Sequence, residues 1–197
     1  MTPQADSVLD LFRAAGAYLE GHFRLTSGLH SPNYLQCALV LRHPKVAEEL
    51  GRRLAAELRT LLTEAPAVVV SPALGGLIIG HEAARALGTP FLFSERDPET
   101  RKMVLRRGFS IRPGETAVVV EDVITTGGST RDVVDCLQAA GTRVLAAGSI
   151  IDRSGGSAEV GVPRVALATL QVQTHTPEDC PLCRQGLPVV KPGSRPA

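Results

Sequence analysis

A strand that stops at two carboxylates, followed by a turn of small residues and a helix, constrains this chain most. The apolar run from Ala117 has the length of a buried strand and stops at Glu121 and Asp122. The turn Thr125–Thr130 consists of Thr, Gly and Ser, and apolar residues recur at helical spacing after Arg131. This order predicts a strand, an acidic pair, an anion-binding turn and a helix.

The turn has the composition of a phosphate site. In an open parallel sheet, ligands bind beyond the carboxyl ends of the strands, where the next helix offers unpaired N–H groups. Gly127 and Gly128 allow close approach of the backbone to an anion. Further donors are the hydroxyls of Thr126, Ser129 and Thr130. Because the carboxylates repel phosphate but accept hydrogen bonds from hydroxyls, the pattern predicts a sugar phosphate with its ribose diol on the acids.

The sequence contains neither the Gly-Lys-Ser/Thr ending of a P-loop nor a GxGxxG motif. The run Glu-Asp-Val-Ile-Thr-Thr-Gly-Gly-Ser resembles instead the phosphoribosyl-diphosphate (PRPP) signature of the type I phosphoribosyltransferases, in the form typical of orotate phosphoribosyltransferases. The resemblance implies that PRPP is bound by Glu121, Asp122, Val123, Ile124, Thr125, Thr126, Gly127, Gly128 and Ser129. The alternative is an ordinary strand, turn and helix with a solvated acidic pair.

The chain contains a second succession of strand, glycine-rich turn and helix before the one at Glu121 and Asp122. This earlier succession has no acidic pair. The strand is predicted at Ala67–Ser71 and the helix at Leu77–Leu87. By resemblance, the intervening turn contacts the pyrophosphate of PRPP through Ala73, Leu74, Gly75 and Gly76. Many family members carry a Lys inside this turn, whereas this chain has Leu74-Gly75. Without a ligand, the same pattern is a tight crossover turn.

Other strands alternate with helices along the central part of the chain. Strands are predicted at Thr89–Phe93, Thr142–Ile151 and Val165–Val172, and an amphipathic helix at about His43–Leu62. Such alternation predicts an α/β fold, a doubly wound parallel sheet with the polar turns at one edge. The family fold adds a small N-terminal hood lobe.

The N-terminal segment predicts this hood lobe. A helix is expected at about Asp6–Glu20, with Asp6 or Ser7 as its N-cap, and two extended stretches in 21–36 flank a Ser27-Gly28 turn. By resemblance they form a hood over the base, and otherwise a plain hairpin. We expect a single phosphoribosyltransferase domain over 1–197, with the hood at about 1–40, the α/β core at about 41–172 and a tail at about 173–197.

A basic segment, Ser94–Phe109, follows the third predicted strand, and we call it the lid segment. Five of its sixteen residues are Arg or Lys. Long polar loops inside compact domains are often mobile lids, and a cationic lid neutralises a departing pyrophosphate. By resemblance, Lys102 is the catalytic-loop cation and also contacts PRPP, and Arg96 is a diphosphate ligand. The alternative is a solvated, charged hairpin.

The resemblance also implies the rest of the chemistry. Arg153, after the strand 142–151, matches the position that holds the carboxylate of orotate, a role suited to a guanidinium, and Thr125 also orients the base. Glu121, Asp122 and Lys102 are the expected catalytic residues. The expected cofactor is Mg2+, held mainly through the substrate and not by dedicated protein ligands. The active unit is expected to be a homodimer in which each lid reaches the neighbouring site.

A Cys-Pro-Leu-Cys motif near the C-terminus has the spacing of a zinc knuckle. Cys180 and Cys183 are its sulfur ligands, and His175 is a candidate third ligand. A second cysteine pair is lacking, so the motif alone is weak evidence of a metal site. A similar ending occurs in a subgroup of orotate phosphoribosyltransferases, so the motif is alternatively a structural feature of that subgroup.

Composition excludes several other classes of protein. The 197 residues are 44% hydrophobic, with a formal net charge of +1, which gives no general electrostatic case for a nucleic-acid partner. The N-terminal residues do not resemble a signal peptide and no segment approaches membrane-spanning length, so we expect a cytoplasmic protein. Two rivals remain: a purine phosphoribosyltransferase, and a non-catalytic PRPP-sensing regulator that binds nucleic acid.

Overall fold

The computed structural model describes residues 7–25 and 28–191, so Asp6 and Ser27, named above, lie outside the described residues. The chain divides into two compact units. The smaller comprises Met1–Val40 and Gln171–Ala197, and the larger comprises Leu41–Leu170.

The described helices are α1 (Val8–Ala14), α2 (Cys37–Leu41), α3 (Pro44–Leu61), α4 (Gly76–Leu87), α5 (Gly128–Ala139) and α6 (Pro181–Arg184). The strands are β1 (Tyr18–Arg24), β2 (His30–Leu35), β3 (Val68–Pro72), β4 (Phe91–Arg96), β5 (Met103–Leu105), β6 (Thr116–Ile124), β7 (Arg143–Asp152) and β8 (Arg164–Thr169).

The smaller unit is built on the antiparallel hairpin of β1 and β2, which confirms the two predicted extended stretches. The predicted N-terminal helix is too long, because α1 ends at Ala14 and the chain is extended from Tyr18. Gly16 adopts a φ of +62°, a left-handed conformation that terminates helices. The C-terminal segment pairs with this hairpin, since the N–H of Arg24 donates to the carbonyl of Val190 at 2.8 Å.

The larger unit contains a six-stranded sheet in the order β5-β4-β3-β6-β7-β8. All neighbouring strands are parallel except β5, which pairs antiparallel with β4 at the edge. The predicted α/β class is therefore confirmed, with one antiparallel strand that the sequence did not indicate. That strand comes from the lid segment, part of which is a β-hairpin.

Helices cover both faces of the sheet. Val68, Val70 and Val119 pack with Val133 and Leu137 of α5 on one face. The other face packs against α3 and α4. There, a Cβ added to Gly148 of β7 would lie 3.1 Å from Leu54 and Leu58 of α3. Strand β3 and the first part of β6 are buried throughout. Both therefore have continuous apolar sequences, which is why the sequence predicted them as buried strands.

Strand β6 differs from its prediction in one way that matters for function. Its pairing with β7 continues through Glu121 to Ile124, so the two acids lie in the last part of the strand and not after it.

Within the described residues, no helix is long and apolar enough to span a membrane.

Prediction on packing: Gly51→Leu should destabilise the larger unit, because a Cβ at Gly51 of α3 would lie 2.5 Å from the Cβ of Glu82 on α4. Overpacking of this kind costs about 1–3 kcal/mol. Urea unfolding of Gly51→Leu and of a control, Ala56→Leu at an exposed position of α3, measures the difference. Equal stability of the two variants would show that the helices separate without cost.

Candidate active site

The turn after β6 forms a small polar cavity at the carboxyl end of the sheet. Its volume is about 180 Å³, and its lining residues are Glu121, Val123, Ile124, Thr125, Thr126, Gly127, Gly128, Ser129 and Thr130. Gly127 is the N-cap residue just before α5 and has a left-handed conformation with φ +81°, and its cap position offers no side-chain hydrogen bond to the first-turn N–H groups. These N–H groups and the helix dipole make the cavity suitable for an anion.

The segment that precedes β8 holds the turn after β6 in place. The guanidinium of Arg131 donates to the carbonyl oxygen of Glu159, with Nε at 2.9 Å. A Cβ on Gly127 would lie 3.0 Å from Val160 and 3.3 Å from the oxygen of Glu159. Gly127 is therefore required both for its φ angle and for this close approach.

The two carboxyl groups of the acidic pair are shielded from water to different degrees, since Glu121 is buried and Asp122 is half-buried. Glu121 is only 7% exposed, and Asp122 accepts a hydrogen bond from the N–H of Val123 at 2.8 Å. Burial raises the pKa of Glu121 well above its ordinary value, and the neighbouring charge of Asp122 raises it further. Burial also raises the pKa of Asp122, although hydrogen bonds from Glu121 and Val123 oppose the shift. The free site therefore favours retention of a proton on Glu121.

The second glycine-rich turn lies beside this acidic pair. A Cβ on Gly75 would lie 2.7 Å from Oδ1 of Asp122, and one on Gly76 would lie 3.0 Å from the carbonyl oxygen of Val120. Helix α4 begins at Gly76, just after β3, so the first turns of α4 and α5 lie at the same edge of the sheet. The peptide bond between Ala73 and Leu74 is cis, and the side chain of Leu74 is exposed.

Arg153 reaches the same edge at the end of β7. Its N–H donates to the carbonyl of Ile124 at 2.8 Å, which holds it next to the turn after β6. The preceding Asp152 is buried and forms an ion pair of 2.6 Å with Arg164. Burial alone raises the pKa of Asp152, but hydrogen bonds from Ser154 and Arg164 outweigh it and the pKa is lowered. Sequence reasoning missed this ion pair, since Arg164 is distant along the chain.

Among the described contacts, Arg96 and Lys102 of the lid segment contact residues away from the carboxyl end of the sheet. Arg96 donates to Asp132 of α5 at 2.7 Å and to the carbonyl of Arg101 at 2.9 Å. Lys102 lines a groove with Thr100, Arg101, Met103, Asp132, Asp135, Cys136 and Ala139, of which the last four lie on α5 beyond its first turn. Arg96 and residues 100–103 of the lid segment thus lie beside α5, whereas the cavity lies at the start of that helix.

The structure therefore brings together most of the predicted site residues. The acidic pair, both glycine-rich turns and Arg153 meet at one edge of the sheet. Arg96 and Lys102 do not meet them within the described contacts of this chain. The structure thus places the acidic pair between two glycine-rich turns, at the edge of the sheet where α4 and α5 begin.

Comparisons with known proteins agree with this geometry. The phosphoribosyl transferase domain model matches residues 39–171. An orotate phosphoribosyltransferase of Heliobacterium modesticaldum is 54% identical over 96% of this chain and 98% of its own length, and one of Pelotomaculum thermopropionicum is 53% identical over 96% and 97%. The crystal structure of orotate phosphoribosyltransferase from Aeropyrum pernix superposes with a TM-score of 0.68 at 25% identity, covering 83% of this chain and 94% of that one.

This chain belongs to the phosphoribosyltransferase family. Its full-length relatives place it, within that family, among the orotate phosphoribosyltransferases.

Prediction on the acidic pair: Glu121→Gln should stabilise the protein at neutral pH. A carboxyl whose pKa is raised in the folded state binds a proton that the unfolded state releases. Its contribution to stability is thus complete at low pH and is lost as pH rises from the ordinary carboxyl value towards the raised pKa.

Urea unfolding between pH 4.5 and 8 measures this dependence, with Glu57→Gln at an exposed position of α3 as the control. The curve of Glu121→Gln should fall less with pH than that of either wild type or the control. Parallel curves for all three proteins would mean that Glu121 has an ordinary pKa.

Proposed function

We propose that this orotate phosphoribosyltransferase binds PRPP across the edge formed by β3, β6 and β7 and transfers its phosphoribosyl group to orotate. The products are orotidine 5'-monophosphate and pyrophosphate, as in de novo pyrimidine biosynthesis. The observation that carries the assignment of PRPP is the position of the acidic pair, because Asp122 lies beside Gly75 and Glu121 lines the cavity before α5. A 5'-phosphate, a ribose diol and a diphosphate require three such sites in this order.

In the proposed complex, the 5'-phosphate lies on the turn Thr125–Thr130, where α5 begins. The ribose hydroxyls donate to Glu121 and Asp122, and the diphosphate lies on the turn 73–76. Hydrogen bonds from the ribose hydroxyls stabilise the ionised form of the acids, which opposes the effect of burial on their pKa. Binding of the sugar thereby lowers the pKa of the acidic pair and favours loss of the proton that the free site retains.

These carboxylates would act on the charge that develops during transfer. When the diphosphate leaves, positive charge builds on the ribose ring, and Glu121 and Asp122 stabilise that charge electrostatically. Arg153 pairs with the carboxylate of orotate in the proposed complex, and Thr125 orients the base. Fixing both reactants at one edge turns a bimolecular encounter into a reaction within a single site.

The cofactor we propose is Mg2+, as expected from the family. The acids of the site are assigned to the ribose diol, so the ion would be held mainly through oxygens of PRPP and water, which suits its preference for hydrated octahedral sites. When bound, Mg2+ supplies positive charge that neutralises the leaving pyrophosphate.

We also propose a homodimer in which each lid segment serves the neighbouring subunit. Two observations support this. Leu74 and Ile78 are large apolar residues, 82% and 45% exposed, near the start of α4, as expected of a contact surface. Arg96 and Lys102 lie along α5 of their own chain and not at its N-terminal cavity. We further propose that the dimer acts in the cytoplasm and has no nucleic-acid partner.

Prediction on the base site: Arg153→Ala should lower kcat/KM for orotate by roughly 10- to 100-fold, the loss expected for a charged hydrogen-bonded pair. The KM for PRPP should change by less than about threefold, because the turns that bind it stay intact. The loss of orotate's ultraviolet absorbance with PRPP and Mg2+ measures turnover, with adenine, hypoxanthine and uracil tested in parallel.

Arg143→Ala is the matched control, since Arg143 lies at the opposite end of β7 in a surface ion pair with Glu64. It should behave as wild type. Full orotate turnover by Arg153→Ala would remove Arg153 from the base site, and turnover of a purine but not of orotate by the wild type would overturn the proposed reaction.

Prediction on the lid: Lys102→Ala and Glu121→Gln should each be nearly inactive alone, yet recover activity when mixed as subunits. If the lid acts across the dimer, each heterodimer has one intact site. Random mixing should then restore about a quarter of wild-type activity.

The control is a mixture of Lys102→Ala with Arg96→Ala, in which every lid carries a lesion, so no activity should return. Recovery in the control, or none in the test mixture when mass spectrometry shows that heterodimers form, would contradict a lid acting on the neighbouring site.

A further inference from the structure

Four metal-ligating side chains meet in the smaller unit, which contains none of the acids or turns assigned to PRPP. They are His22 of β1, His30 of β2, and Cys180 and Cys183, which flank and lie within α6. Their ligand atoms all lie within 4.8 Å of one another. His175, the candidate suggested by sequence proximity, is not a member of this cluster.

Backbone pairing explains why histidines distant in sequence meet the cysteines. His30 lies opposite Arg24 in the hairpin, so His22 and His30 are close across the two strands. Two backbone hydrogen bonds of 2.8 and 2.9 Å join His30 to His175, and the N–H of Val190 donates to the carbonyl of His22 at 2.8 Å. The C-terminal segment is thereby held against both strands, with the Cys-Pro-Leu-Cys motif between its two contacts.

The distances within the cluster are those of a metal site. Nε2 of His22 lies 3.5 Å from Sγ of Cys180 and 3.7 Å from Sγ of Cys183. Nδ1 of His30 lies 3.3 Å from Sγ of Cys183 and 2.8 Å from Nε2 of His22. A tetrahedral zinc ion with bonds of ~2.0 Å to nitrogen and ~2.3 Å to sulfur separates its ligand atoms by about 3.3–3.8 Å. Three of these four distances match that range, and the two nitrogens would need to move apart by roughly half an ångström. All six pairs of ligand atoms lie within 4.8 Å, so a bound ion would draw the widest pair together.

The tautomer of His22 also suits a ligand. Its Nδ1 lies 2.8 Å from the carbonyl oxygen of Leu187, which can only accept, so the proton is on Nδ1. The lone pair of Nε2 therefore faces the two sulfurs and His30. A backbone carbonyl that orients a histidine through its second nitrogen is the usual outer partner in metal sites.

We propose that His22, His30, Cys180 and Cys183 bind one zinc ion per chain in a closed structural site. Two thiolates with two imidazoles select Zn2+ over the Mg2+ that the reaction uses, since Mg2+ prefers oxygen ligands. Four protein ligands leave no open coordination position, so the ion ties the C-terminal segment to the hairpin and does no chemistry on substrate. A disulfide between the cysteines is the main alternative, but Cys180 and Cys183 are both free thiols in this structure.

Zinc content tests the proposal directly. The full chain, with any affinity tag removed, should contain about one zinc by elemental analysis. His22→Ala and Cys180→Ser should each lower the bound zinc at least about tenfold. The matched controls are His175→Ala, which is beside the cluster but outside it, and Cys136→Ser on α5 of the larger unit, and both should retain the metal.

Cobalt substitution gives a second measurement that does not depend on the folding of variants. Wild-type protein stripped by a chelator and titrated with Co2+ should show the visible bands of a tetrahedral ion together with a thiolate charge-transfer band, saturating at about one Co2+ per chain. Chelator should also lower the Tm of the wild type and of His175→Ala.

Three results would overturn the proposal. The first is freshly purified, unoxidised protein without zinc and without tetrahedral Co2+ bands. The second is a Cys180–Cys183 disulfide found by mass spectrometry as the main form in cell extracts alkylated at once. The third is full zinc content in Cys180→Ser.

Discussion

The burial of β6 is the constraint on which the site depends. Its residues from Thr116 to Val120 are buried, and its backbone is paired with a parallel strand on each side. Since parallel strands point the same way, the carboxyl ends of β3, β6 and β7 meet at one edge, and the helices that follow begin there. Two helix N-termini, two glycine-rich turns and the acidic pair therefore converge without any side-chain contact being needed to draw them together.

The convergence at this edge brings an energetic penalty for the acidic pair. Burying two adjacent carboxyl groups disfavours their ionisation, and the directions of both pKa shifts express that penalty. The apolar burial of the rest of β6 offsets the cost, so the fold tolerates a local arrangement that would be unfavourable alone. In our proposal, the hydroxyls of the sugar donate further hydrogen bonds to both acids and so favour their ionised form. Specificity for a diol then follows from the same burial that destabilises the free site.

The smaller unit has a different problem of stability. It is assembled from two segments that are distant in sequence, around a single two-stranded hairpin. Two-stranded hairpins are only marginally stable in water and usually need further packing or a staple. Backbone pairing of the C-terminal segment with His22, Arg24 and His30 supplies part of this support. The zinc ion that we propose would supply the rest, because its ligands come from both segments and binding energy becomes folding energy.

Much of the fold and part of the site were readable from the sequence because they rest on local patterns. The valine-rich runs of β3 and β6, the amphipathic α3 and the acidic pair before Thr125–Ser129 each carry their own periodicity or turn chemistry. The end of α1 was misjudged because apolar residues continue past Gly16 into a strand. The short β5 was missed because edge pairing depends on β4 more than on its own three residues.

The sequence by itself determined the α/β class, most of the alternating strands and helices of the larger unit and the glycine-rich turn after the acidic pair, since these follow from spacing and from residues that are neighbours in the chain. Only the tertiary structure decided that Gly75 abuts Asp122, that Arg164 neutralises Asp152, that Arg96 pairs with Asp132, and that His22 and His30, not His175, face the cysteines. Each of these contacts joins residues from different strands, helices or loops. Their distances are set by sheet register and helix packing, which no local pattern encodes.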